Sequence, residues 1–105
     1  MRVVAVGTTL ALAFAALAAR AEDAFTSEQV NSGRALYARN CSPCHGPRMQ
    51  DPESAFDLRK FPHDERARFV ASVARGKNQM PPWGDLLTPE EITALWAYVT
   101  TGEKD

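Results

Sequence analysis

The chain has 105 residues, 13 acidic and 12 basic, with charges of both signs interspersed instead of forming blocks. That balance excludes a strongly basic nucleic-acid binder and explains solubility without naming a partner. The length allows one small domain and excludes a large apolar core.

The opening reads as a secretory leader. Arg2 supplies a positive start, residues 3–19 are apolar and Ala-rich, and Ala19-Arg20-Ala21 fits an A-x-A cleavage site. Residues 1–21 are therefore expected to be a signal peptide, with a mature domain over 22–105. A retained membrane anchor fits less well, because the apolar run is short, contains Gly7, Thr8 and Thr9, and has no hydrophobic successor. Loss of the leader removes Arg2 and Arg20, leaving 84 residues with ten basic against thirteen acidic side chains and a formal charge of −3. A chain this short is expected to use something other than apolar side chains to complete its core.

Thr26-Ser27-Glu28-Gln29 matches a capping box and predicts a first helix reaching about Asn40. Val30, Gly33 and Tyr37 fall three and four apart along it, with Leu36 alongside, so its apolar face carries a glycine notch into which another helix can pack.

Cys41-Ser42-Pro43-Cys44-His45 follows immediately. Two thiols three positions apart on one turn can add to the two vinyl groups of a haem, and the adjacent imidazole then lies beneath the iron. Cys41 and Cys44 are thus the expected covalent attachment points of one haem c, and His45 its proximal axial ligand. A thioredoxin-type dithiol calls for a strand before the motif and a helix after it, whereas a helical stretch precedes this one and a Gly-Pro loop follows. A structural zinc site needs four ligands, and outside the pentapeptide the mature chain offers only His63. Because both cysteines are used for attachment, no structural disulfide is expected.

Residues 46–61 lack a helical or strand period and read as an irregular loop whose apolar points are Phe56, Leu58 and Phe61. These are expected to rest against the porphyrin, with ordinary packing the alternative, above all for Phe61. Pro62 and Asp64 then predict a second helix with Ala67, Phe69, Val70, Val73 and Ala74 inward, Arg66, Arg68 and Arg75 outward, and Gly76 as its stop. Met80-Pro81-Pro82-Trp83-Gly84 cannot be helical at its centre, since consecutive prolines fix φ and remove donors, and it reads as a stiff extended loop. Thr88, Pro89 and Glu91 form the strongest helix start in the chain. The last helix is predicted from Pro89 to about Thr100, with Ile92, Leu95, Trp96 and Val99 at helical spacing, Tyr98 flanking them and Gly102 as the stop. The fold class is all-α, with about three main helices around one covalent haem.

A second axial ligand must come from Met49, Met80 or His63. Met49 follows His45 by four residues, too few to pass round the porphyrin edge without strain. Met80 has a whole helix between it and His45 and sits on a backbone stiffened by prolines, a suitable mount for a weak thioether ligand. It is the expected distal ligand, and His63 reads as a solvent-exposed histidine at a helix start. Trp83 either stacks on the porphyrin or bonds a propionate through its indole N–H, or else caps the distal loop at the surface. Arg59 and Lys60 either pair with propionates or remain solvated.

Taken together these residues resemble a small, exported, monohaem class I c-type cytochrome over essentially the whole mature chain. Gly33 and Tyr37 match the family's first-helix glycine and aromatic pair, Leu95 and Tyr98 the leucine and aromatic pair of its last helix, Cys41 to Gly46 the attachment motif, and Met80-Pro81 the distal loop. The resemblance implies that the first and last helices cross beside the haem, so that Gly33 and Tyr37 meet Leu95 and Tyr98. The family often has a proline two residues before a leucine whose carbonyl accepts the proximal imidazole N–H, and here Phe56-Asp57-Leu58 stands in its place. Either Phe56 or Pro52 can supply that carbonyl.

Imidazole and thioether on opposite faces leave no position for a substrate, so the expected function is outer-sphere electron transfer, with the thioether and ring burial both raising the potential. The expected protein is a periplasmic carrier, monomeric and not held by the membrane once the leader is cleaved. It would meet redox partners transiently and pass electrons from a dehydrogenase to an acceptor such as a terminal oxidase. Asp57-Leu58-Arg59 and Met80-Pro81-Pro82-Trp83 also resemble small cytochromes that serve quinoprotein alcohol dehydrogenases. The alternative is a haem enzyme or gas sensor with a labile distal ligand.

Overall fold

A computed structural model describes residues 24–103; the expected leader lies outside them. The architecture is four helices with no named strand among the described residues: α1 (Ser27–Asn40), a single turn α2 (Ser42–His45), α3 (Arg66–Arg75) and α4 (Pro89–Thr101). Short 3₁₀ turns at Pro47–Met49 and Leu58–Lys60 punctuate the long connection between α2 and α3.

Local chemistry sets both long helices. At α1 the Thr26 hydroxyl accepts from the Gln29 amide at 3.0 Å while the Gln29 side chain accepts from the Thr26 amide at 2.9 Å. At α4 Thr88 and Glu91 repeat the exchange at 3.1 and 2.9 Å, behind a proline in the first turn. Each box satisfies two amides that the helix itself leaves unpaired.

The two capped helices pack on each other through the predicted notch. A Cβ on Gly33 would overlap the Ala94 carbonyl and stand 2.9 Å from Tyr98 Cβ, so only glycine lets the backbones come this close. Beside that contact the Tyr37 and Tyr98 rings lie 5.1 Å apart, tilted at 45°, and Leu95 is buried next to Tyr98. The expected meeting of the helix faces is present, with Ala94 in addition as a backbone partner of Gly33.

A second cluster joins α3 to α4. Phe61 packs edge-on against Phe69 and Trp96, with ring centroids 5.7 and 5.9 Å away, and Phe69 lies 5.0 Å from Trp96. Such pairs contribute roughly 1 kcal/mol beyond the area they bury. Phe61 therefore belongs to the aromatic core.

The second predicted helix is shorter than its sequence signals. Pro62 and Glu65 close a turn, Glu65 N–H to Pro62 carbonyl at 3.2 Å, and regular helix begins at Arg66 without a side-chain cap. Its inward residues are Phe69 and Val73, supported by Val70 and Ala74. Ala67, expected inward, is exposed; it lines an open groove of about 630 Å³ with Arg66, Val70, Ala71, Ala74 and Arg75. At the end of α4, Gly102 adopts an ordinary right-handed φ of −80° instead of the left-handed stop. Its role is steric, because a Cβ there would run into the Tyr98 ring.

Candidate haem-attachment site

The helical hydrogen bonding of α1 runs straight into the attachment motif. The Cys41 amide donates to the Tyr37 carbonyl at 2.9 Å, and the Cys44 and His45 amides both return to the Cys41 carbonyl at 3.1 and 2.9 Å. The motif is thus one helical turn carrying Cys41, Cys44 and His45, with Pro43 in its first turn. Both cysteines are free thiols, Cys41 partly buried and Cys44 exposed.

Burial, reinforced by the neighbouring Cys44, pushes the Cys41 thiol up to about 11.

The Nδ1–H of His45 donates to the Phe56 carbonyl at 3.0 Å. Of the two carbonyls left open by the sequence, Phe56 is the partner. This bond commits one ring nitrogen and leaves Nε2 available to a metal, the division of labour found at histidines bound to metals. A haem c fits the donor set: two free thiols on one turn and an oriented imidazole beside them.

The connection from Gly46 to Phe56 makes this bond possible, and its backbone is unusual. Gly46 is left-handed, as are Arg48, Met49, Asp51 and Glu53. The Tyr37 hydroxyl donates to the Gly46 carbonyl at 2.6 Å. Met49 is almost completely buried, a core side chain with no exposed face to offer a ligand. Arg48 reaches Glu103 through Nε and Nη2, both 3.3 Å from Oε1, while Tyr98 donates to Oε2 of the same carboxylate at 2.8 Å. Arg34 approaches from α1, 3.6 Å from Oε2. Partial burial works against ionisation of Glu103, but the bonds from Tyr98 and Arg48 and the charges of Arg48 and Arg34 hold it below the usual carboxylate range. Nothing in the residue types at 34, 48, 98 and 103 signalled this cluster, because its members lie far apart in sequence.

Met80 sits on a tightly tied segment. Lys77 and Met80 exchange two backbone hydrogen bonds, 3.1 and 2.9 Å, closing a turn through left-handed Asn78. The segment is thus a turn up to Met80 and extended only at the prolines. Gly76, at φ 81°, makes room for it: a Cβ there would press on the Met80 carbonyl at 2.7 Å and on Pro82 N at 2.9 Å. The Trp83 and Gly84 amides then donate to the Val73 and Ala74 carbonyls at 2.8 and 3.0 Å, fastening the segment along the end of α3. Met80, Trp83 and Leu58 are all partly buried and packed against the core.

The remaining candidates fall elsewhere. His63 lines a cleft with Phe25, Asp64, Arg66, Trp96, Thr100 and Thr101, at the C-terminal end of α4. Arg59 pairs with Asp57 at 3.3 Å, and its hydrogen bonds hold the Asp57 carboxyl below the usual range; Lys60 is exposed. Two large apolar side chains are conspicuously exposed, Phe56 at 55% and Leu86 at 71%. No described helix is long and apolar enough to cross a membrane.

Residues 28–99 match the family model described as cytochrome C oxidase, cbb3-type, subunit III. Among curated proteins, the chain is 35% identical over 78 residues to cytochrome c6 of Anabaena variabilis, covering 70% of this chain and 90% of that one. It is 32% identical over 81 residues to cytochrome c6 of Nostoc sp., covering 72% of each. It is also 35% identical over 79 residues to quinohemoprotein alcohol dehydrogenase ADH IIB of Pseudomonas putida, where the match covers 72% of this chain and 11% of the dehydrogenase. With its matched helices, attachment turn and methionine segment, the chain belongs to the cytochrome c family, as a small class I c-type cytochrome that transfers electrons and is not an enzyme.

Proposed function

We propose that the protein is a periplasmic electron carrier whose haem c is attached through Cys41 and Cys44 and ligated by His45 and Met80. The observation that carries this reading is the hydrogen bond from His45 Nδ1 to the Phe56 carbonyl, which fixes the tautomer and leaves Nε2 to bind iron. When bound, the haem supplies a one-electron ferric/ferrous couple. His45 and Met80 would hold the haem iron between them, leaving no open position for a substrate. The ties from Gly76, Val73 and Ala74 hold the thioether on a fixed backbone, which limits rearrangement when an electron arrives or leaves. Leu58 and Trp83, half-buried beside the core, supply apolar contacts to the ring, and Trp83 also brings an indole N–H within the methionine segment.

The donor is a periplasmic dehydrogenase of the quinoprotein alcohol-oxidising kind, and the acceptor is a downstream protein such as a terminal oxidase. Similarity to a segment of the Pseudomonas putida dehydrogenase supports the donor, and the leader-like residues 1–21 support export. Docking is transient, and the ring edge would offer the point of contact between the attachment turn and the Met80 segment. Exposed Phe56, whose carbonyl takes the His45 N–H, and exposed Leu86, in the turn after Trp83, suit a small, partly apolar contact.

Acid denaturation followed by solvent extraction should leave the red colour on the protein, and the ferric form should show the weak far-red band of methionine-sulfur ligation. Met80→Ala should keep the haem, lose that band and bind carbon monoxide readily. A wild-type protein without the band that binds carbon monoxide at neutral pH would instead be a sensor or a haem enzyme. Reduction rates with candidate dehydrogenases at two ionic strengths identify the donor, since charge-guided docking is salt-dependent.

A further inference from the structure

The segment between His45 and its carbonyl partner is poorly suited to hold itself in place. Arg48, Met49, Asp51 and Glu53 are all left-handed without being glycine, a conformation strained for any residue with a Cβ. Its own backbone bonds, Gln50 to Pro47 and Ala55 to Pro52 at 3.0 Å each, stay within the loop. Beyond the Gly46 amide on the Ser42 carbonyl at 2.9 Å, three side-chain ties join it to the helices: Met49 buried in the core, Tyr37 Oη on the Gly46 carbonyl at 2.6 Å, and Arg48 on Glu103, which Tyr98 holds at 2.8 Å. Two of the three depend on tyrosine hydroxyls, groups that packing between α1 and α4 does not require.

We propose that Tyr37, and the chain Tyr98 to Glu103 to Arg48, are positioning residues that clamp this loop and so set the hydrogen bond between His45 Nδ1 and the Phe56 carbonyl. The proposal rests on His45 being the proximal haem ligand. A donated Nδ1–H makes the imidazole a stronger electron donor and favours ferric iron. Slackening the loop weakens that bond and raises the midpoint potential. The phenol rings serve the helix contact, whereas the hydroxyls tune the redox centre from a face that partners need not touch.

The experiment uses the haem-loaded protein with Tyr37→Phe, Tyr98→Phe and Glu103→Gln, each of which keeps the side-chain shape. The control is Thr88→Ala, which loses a helix cap far along the sequence from the loop. Two quantities are read: the midpoint potential, and the solvent-exchange rate of the His45 ring N–H proton by NMR. The hydroxyl and carboxylate variants are expected to raise the potential and to speed exchange about fivefold, the opening expected for loss of one net hydrogen bond, while the control moves neither. Unmoved values in all three variants, or an equal shift in the control, overturn the proposal. Glu103→Gln, at the end of the chain's last helix, keeps the test open if Tyr37→Phe does not fold. Loss of all haem from the wild type would refute the functional reading, whereas a haem-loaded wild type with unresponsive variants refutes the clamp alone.

Discussion

Tyr37 and Tyr98 are buried phenols, and their titration makes them visible in solution. Desolvation by burial pushes Tyr37 up to about 12 from an ordinary 10.0. Desolvation together with the Glu103 carboxylate pushes Tyr98 up as well. A folded-state pKa raised above the unfolded value means that the folded protein keeps its proton longer. The associated stability is complete below about pH 10 and lost as pH rises towards 12. Denaturant unfolding at successive alkaline pH values should show this fall, and Tyr37→Phe should flatten it. Glu103 works in the opposite direction. Its lowered pKa contributes stability above the ordinary carboxylate range, lost as pH falls through the folded value, and Glu103→Gln should flatten the acid limb.

The helices separate what sequence carries from what only tertiary structure decides. The boxes at Thr26 and Thr88 involve residues three apart, so local chemistry announces them and α1 and α4 begin where expected. Thr88→Ala should destabilise the protein by about 1 kcal/mol, or lower its melting temperature by roughly 4–8 °C, measurable by thermal denaturation. The second helix starts late because its expected signals, Pro62 and Asp64, are used up in a turn, and no side chain caps the first amides of α3. The single turn α2 was likewise hidden, being four residues long and continuous in hydrogen bonding with the end of α1. The attachment motif, the methionine segment and the glycine notch were legible because each is a short run or a regular spacing. The Phe56 carbonyl was legible only as one of two candidates, because a backbone acceptor has no residue-type signature, and the Arg48–Glu103 pair was not legible at all, because a pair separated by 55 positions has no local pattern.

At the scale of the molecule, the contact of α1 with α4 closes the chain on itself and holds the attachment turn at the end of α1. Gly33→Ala places a methyl group against the Ala94 backbone, which has no flexible side chain to yield. The expected cost is about 3 kcal/mol or more, a large part of what so small a domain has. Denaturation midpoints should fall accordingly, while a haem bonded through Cys41 and Cys44 should stay on the chain even as the fold loosens. The exposed pair Arg68–Glu65 should matter much less, since an exposed ion pair in water contributes well under about 1 kcal/mol.

The amides of Trp83 and Gly84 are spent on carbonyls at the end of α3, so the methionine segment cannot peel away while that end keeps its own order. Its release becomes a cooperative event shared with ten residues of helix. The thioether proposed as a ligand therefore gains persistence from its mounting, and the first sign of thermal stress should be α3 and Met80 letting go together while α1 and α4 remain paired.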